Sequence, residues 1–172
     1  PGADGLGLTS AGTDISCLDA RLPSYPAWNE RIRALPLSCL DHPAQLDHYL
    51  NTTAQAAHLI VVRLLGSRGH WSYGLEQLQR WCADDTQRQL LVLAGTADQS
   101  NELHGLGSCS AELADQLSAL LREGGIDNMG RFLGALEALL EGTPVSPDSV
   151  AVVPCPDPMP WDWRDEAGTA VG

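Results

Sequence analysis

His58-Leu-Ile-Val-Val-Arg-Leu-Leu-Gly-Ser-Arg-Gly-His-Trp-Ser-Tyr-Gly-Leu-Glu76 is the stretch on which the fold turns. Its first half is a continuous apolar run, Leu59 to Val62, interrupted by Arg63 and resumed by Leu64 and Leu65. A β-branched run without alternation suits a strand covered on both faces, as in a parallel sheet. A glycine-punctuated loop follows, carrying Arg68, His70, Trp71 and Tyr73, and a helical pattern restarts at Leu75. Strand, polar-aromatic loop and helix form the unit that places a site at the carboxyl end of a sheet.

Downstream the pattern repeats. A helix over 74–82 has Leu75, Leu78, Trp81 and Cys82 on its buried edge, and Asp84-Asp85-Thr86 ends it. A near-continuous apolar run over 89–94 is the next strand, followed by a polar loop over 96–110. Ser110 caps a helix whose Leu113, Leu117, Leu120 and Leu121 recur at i, i+4, i+7 and i+8. Gly124-Gly125 ends that helix, and Asp127-Asn128 start another with Phe132, Leu133, Leu136, Leu139 and Leu140 inward. Val150-Ala-Val-Val153 is the expected fifth strand.

Upstream the signals are thinner. Residues 5–10 form a short first strand, followed by a loop over 11–14. The spacing Gly5-x-Gly7-x-x-x-x-Gly12 is not a dinucleotide fingerprint, because the glycines lie inside the strand and no helix is expected to open on the last. Trp28, Ile32 and Leu35 at i, i+4 and i+7 predict an amphipathic helix over 26–35, stopped by Pro36, with 37–40 as the second strand. Asp41 is the expected N-cap of a helix over 43–57, with His48 off its apolar stripe and facing solvent.

Strands alternating with helical patterns predict an α/β fold: a doubly wound, mostly parallel five-stranded sheet in a flavodoxin-like three-layer sandwich, with strand order 2-1-3-4-5. Residues 1–153 make the head domain, and 154–172 a proline- and tryptophan-rich connector toward a further C-terminal body. A chain that opens on Pro1 and ends in Thr169-Ala-Val-Gly172, as if entering a strand, has the look of a piece of a longer protein.

Composition narrows the chemistry. A net charge of −12 disfavours nucleic acid and anionic membrane surfaces. All ten basic residues besides histidine are arginine, so the lysine of a phosphate-binding P-loop and that of Schiff-base catalysis are both missing. Five scattered cysteines without CxxC spacing suit buried reduced thiols in a cytoplasmic protein. No segment reaches the roughly 20 apolar residues of a membrane span.

In such a sheet the loops after strands one, three and four meet at one rim. They contribute Ser10, Thr13 and Asp14; Arg68, His70, Trp71 and Tyr73; and Thr96, Asp98 and Ser100. Aromatic faces and a guanidinium there suit a flat anionic ligand. Arg68, His70, Trp71, Tyr73, Asp98 and Asn128 are the candidates for ligand binding or gating, Asn128 because it opens a helix near the sheet edge. Four of them have a structural alternative: Trp71 and Tyr73 as packing against a neighbouring domain, His70 as a plain loop residue, and Asn128 within Gly124–Asn128 as capping alone. Arg63 reads as a structural ion pair or carbonyl cap. No catalytic or metal-ligating set emerges, since a zinc-like site needs three or four ligands.

Arg63-Leu-Leu-Gly66 and His70-Trp-Ser-Tyr-Gly-Leu-Glu76 together resemble the N-terminal region of the large subunit of aerobic cobaltochelatase (the CobN type), which is related to the magnesium chelatase large subunit. Leu91-Val-Leu-Ala-Gly95, Arg122-Glu-Gly-Gly-Ile-Asp-Asn128, Trp161-Asp-Trp163 and Glu166-Ala-Gly168 match in the same order, so the resemblance runs over nearly the whole chain. It implies a head segment of a tetrapyrrole-binding subunit, a ligase that inserts Co²⁺ into hydrogenobyrinic acid a,c-diamide during cobalamin synthesis. ATP would be hydrolysed on separate AAA+ partner subunits, and this segment would bind no cofactor and be inactive alone. Its neighbours would be the remaining domains of the same long chain and the corrin substrate. The competing expectation is a free-standing flavodoxin-like module for small-ligand binding or signalling.

Overall fold

The computed structural model describes residues 5–9, 12–28, 31–66 and 68–154. The connector from Cys155 to Gly172, with Trp161 and Trp163, and the rim residue Ser10 lie outside the described residues, as does the Thr13 side chain.

Every residue of the strand β3 (Leu59–Leu64) is buried, although its side chains point alternately to opposite faces. Ile60, Val62 and Leu64 join one core, and Leu59 and Val61 join another. The strand β4 (Gln89–Ala94) divides in the same way, with Leu90, Val92 and Ala94 on one side and Leu91 and Leu93 on the other. Two cores on two faces mean that helices cover both, which is why the run carries no polar alternation.

The sheet has four parallel strands in the order β2-β1-β3-β4, where β1 is Gly5–Thr9 and β2 is Ile32–Pro36. The helices α1 (Gly12–Arg21), α5 (Ala111–Glu123) and α6 (Ile126–Glu141) cover one face. On the other face lie α2 (Pro43–Thr52), α3 (Ser72–Ala83) and the short α4 (Ser100–Leu103). Ser110 caps α5, its hydroxyl accepting from Leu113 N at 3.2 Å.

Trp71 lies flat against α3. A Cβ at Gly74 would stand 2.2 Å from the Trp71 ring, so only glycine lets the indole reach this position. The indole Nε1 donates to Leu40 O at 3.3 Å and ties the turn after β2 to the loop after β3.

Several expectations are corrected. The predicted helix over 26–35 is a 3₁₀ turn (Pro26–Trp28) followed by β2. Ile32 and Leu35 pack into opposite cores, which a strand allows and one helix face does not. Pro36 is accommodated because β2 is an edge strand. The expected strand over 37–40 is a 3₁₀ turn burying Leu37 and Leu40, three residues apart. A helix does open on Gly12. His42, not Asp41, caps α2, its Nδ1 accepting from Ala44 N at 3.2 Å, and α2 gives way at Thr53 to a 3₁₀ turn.

The five-stranded sheet is also corrected, for among the described residues there is no fifth strand. Pro147–Val150 is a 3₁₀ turn, and 151–153 run on without a ladder partner. Only Val150 of that apolar run is buried. The outer edge of β4 is occupied instead by the returning loop: Ser108 N donates to Leu90 O, and Leu90 N donates to Ser108 Oγ, both at 2.8 Å. Gly107 makes this approach sterically possible, since a Cβ there would stand 2.6 Å from Leu90 O.

Candidate functional site

At the carboxyl ends of β1, β3 and β4 the chain gathers its loops. Arg63, the only charged residue in the apolar run, is 6% exposed. Its Nη1 donates to Asp14 Oδ1 in the first turn of α1, so the guanidinium fastens that helix to the sheet. The expected structural ion pair is what the geometry shows. The loops after β3 and β4 are joined directly, Gly66 N donating to Gln99 Oε1 at 3.3 Å.

The six candidate residues separate into two groups. Arg68 and His70 are exposed on the 3₁₀ turn Arg68–Trp71, and Asp98 is exposed on the adjoining turn Ala97–Gln99. These three stay on the rim. Trp71 is buried as described, and Tyr73 reaches sideways, its hydroxyl donating to the Asp47 carboxylate of α2 at 2.9 Å. That hydrogen bond is the first cause of a raised Tyr73 pKa. Asn128 is fully engaged: its Nδ2 donates to Gly124 O and Val153 O, and its Oδ1 accepts from Val153 N at 2.8 Å. One side chain thus pairs with the backbone at Val153 as a neighbouring strand would. Thr96 is exposed and Ser100 is buried.

Residue-by-residue reading of the sequence missed His104. It is 2% exposed, between β4 and α5. Its Nε2 accepts from Ala94 N at 3.1 Å and lies 2.9 Å from Ser118 Oγ, while Nδ1 stands 3.4 Å from Asp115 Oδ1. Nε2 accepts a backbone N–H, so the ring proton is on Nδ1, toward Asp115. Burial lowers its pKa. Serine, histidine and aspartate in this order echo a hydrolase triad, but Ser118 is wholly buried and its histidine already accepts a backbone donor. The group is structural. The one available signal was the spacing of Asp115 and Ser118, which places both on one face of a helix.

Two of the cavities among the described residues lie beside these elements. A polar groove of about 490 Å³ between α2 and α3 is lined by Asp47, Arg80, Asp84 and Arg88, among others. A smaller one of about 160 Å³ lies between α1 and the α5–α6 turn. Among the described residues, no three His, Cys, Asp or Glu side chains are grouped to hold a metal ion, and no helix is long and apolar enough to cross a membrane.

A parallel sheet with helices on both faces and its loops joined at the carboxyl rim defines a wound α/β domain. Over 141 residues, 81% of this chain, it is 36% identical to the aerobic cobaltochelatase subunit CobN of a Sinorhizobium species. It is 33% identical over 103 residues to the same subunit from Pseudomonas aeruginosa. These matches bear out the resemblance: the chain is homologous to part of the CobN-type cobaltochelatase subunits. It spans about a tenth of their length, 11% and 8% respectively. In fold it is similar to the catalytic subunit of cobaltochelatase from Mycobacterium tuberculosis, with a TM-score of 0.62 and 19% identity over 90% of this chain and 12% of that one. No protein-family model matches the chain.

Proposed function

We propose that this chain is the N-terminal head segment of the large, tetrapyrrole-binding subunit of an ATP-dependent cobaltochelatase, acting in the cytoplasm in the insertion of Co²⁺ into hydrogenobyrinic acid a,c-diamide. The segment holds or gates and does not itself insert metal. The observation that carries this reading is the 36% identity over 141 residues to a CobN subunit. Absence of lysine supports placing ATP hydrolysis on AAA+ partners, because a P-loop needs that residue. The exposed Arg68, His70 and Asp98 supply the charge and hydrogen bonding with which the rim would meet the substrate or the rest of the long chain.

The test is a chimera. This chain replaces the matching segment of the Sinorhizobium subunit, and Co²⁺ insertion is measured with the partner subunits present. Retained insertion is expected, with loss on deleting the segment. A folded chimera that assembles but inserts no cobalt would overturn the reading.

One observation favours a second reading. Helix α1 opens at Gly12, directly behind β1, which is the placement a flavodoxin-like phosphate loop requires. Titration of the chain with flavin mononucleotide decides it: a tight yellow complex supports a free-standing binding module, and unquenched flavin fluorescence removes it.

A further inference from the structure

Two hydrogen bonds tie the loop after β3 to the loop after β4. One joins the strand ends, Gly95 N donating to Leu64 O at 2.7 Å. The backbones approach so closely there that a Cβ on Gly95 would stand 2.9 Å from that carbonyl oxygen and 2.2 Å from the Leu65 side chain. The other lies between the turns themselves, from Gly66 N to the side chain of Gln99, which is half-buried at the end of the turn Ala97–Gln99. Gly66 has a φ of +135°, a conformation that favours glycine. The His70 ring lies against it, for a Cβ at Gly66 would stand 3.2 Å from the His70 Nδ1 and 3.4 Å from its Cγ. Asp98 is the chain neighbour of Gln99. One glutamine side chain thus holds the glycine on which His70 rests and sits beside the rim carboxylate.

We propose that Gln99 is a positioning residue of the substrate site: its hydrogen bond to Gly66 fixes His70 and Asp98 relative to each other on the rim, where they meet the acid and amide groups of the corrin substrate. The proposal rests on the chelatase reading and commits the rim to substrate in place of neighbouring domains. In an open wound sheet, ligands bind outside the carboxyl ends of the strands, where these two loops stand. A carboxylate accepts from amide N–H groups, and a guanidinium and an imidazole N–H donate to acids. Groups held in place before binding lose less freedom when the ligand arrives, so releasing them weakens binding and leaves the chemical step as it was.

The test uses the Sinorhizobium chimera with its partner subunits, carrying Gln99→Met, which keeps the length of the side chain without its strong acceptor, or Gln99→Glu, which keeps an acceptor oxygen. Gln99→Met is expected to raise the KM for hydrogenobyrinic acid a,c-diamide about three- to tenfold with kcat unchanged, as loss of one hydrogen bond in binding should. Gln99→Glu returns KM to the parent value. A merely structural loss would lower the amount of folded enzyme, and with it the rate at saturation, and would leave KM alone. In the 172-residue chain, Gln99→Met shifts the His70 ring and Asp98 amide resonances together. A folded Gln99→Met chimera with parent KM, a rise in KM that Gln99→Glu does not repair, or His70 resonances unmoved by the substitution overturn the proposal. A parent chimera that inserts no cobalt overturns the chelatase reading first and this proposal with it, whereas an active parent with an unaltered Gln99→Met variant overturns this proposal alone.

Discussion

The Nε2 of His104 accepts the N–H of Ala94 at 3.1 Å on the outer edge of β4, where a fifth strand would place a carbonyl oxygen. With Ser108 on Leu90, the loop after β4 thereby closes the sheet edge by itself. Unpaired edges invite pairing with other chains, and a buried imidazole is an unusual closure.

Replacing His104 with leucine keeps much of the volume and removes the acceptor. The Ala94 N–H and the Ser118 hydroxyl are then buried without their partner, at a cost of about 2 kcal/mol. Urea unfolding measures it, and a loss under a few tenths would show that the closure is not held by this bond.

The same residue sets a pH dependence. Burial, the largest cause, lowers the His104 pKa from 6.5; Asp115 of α5 opposes this and Arg122 of α5 reinforces it. The folded state disfavours the proton, so the unfolded chain binds more of it at acid pH. His104 therefore contributes its full stability above pH 6.5 and loses it as pH falls below that toward the lowered value. The urea midpoint should decline through this window in the parent chain and decline less in His104→Gln.

Asp14 and Arg63 should behave as a coupled pair. Asp14→Ala takes the carboxylate away from a buried guanidinium and costs about 3 kcal/mol, whereas replacing both residues with apolar ones costs less than the two single losses together. A double-mutant cycle in urea that proves additive would remove the coupling.

Asn128→Asp preserves shape but exchanges a two-bond donor for a carboxylate oxygen set against the carbonyls of Gly124 and Val153. The expected loss is about 2 kcal/mol, with faster hydrogen exchange at the Val153 amide. Unchanged exchange there would mean that the Asn128 side chain does not hold the Val153 amide.

Gly74→Ala drives a methyl into the Trp71 ring and should destabilise by about 1–3 kcal/mol, with a red-shifted tryptophan emission as the indole leaves its seat. A variant with parent stability and parent emission would show that the ring has room to move.

What the sequence by itself determined was β1, β3 and β4 and most of the helical cover. The uninterrupted runs over β3 and β4 require burial on both faces, and caps such as Ser110 and Gly124 mark helix ends locally. Arg63 was legible as an ion pair because an arginine in such a run has few other ways to be buried. The tertiary structure decided what spacing alone leaves open. Trp28, Ile32 and Leu35 carry helical spacing, and it is the two separate cores claiming Ile32 and Leu35 that make the stretch a strand. Val150–Val153 reads as a strand, but the edge it would join is already held by His104 and Ser108, residues 10 and 18 positions beyond their partners on β4. The site candidates divided for the same reason. Trp71, Tyr73 and Asn128 were drawn into packing by partners remote in sequence, while Arg68, His70 and Asp98 remained on the rim. Periodicity records which residues must leave water, and only the assembled fold fixes which neighbour each one meets.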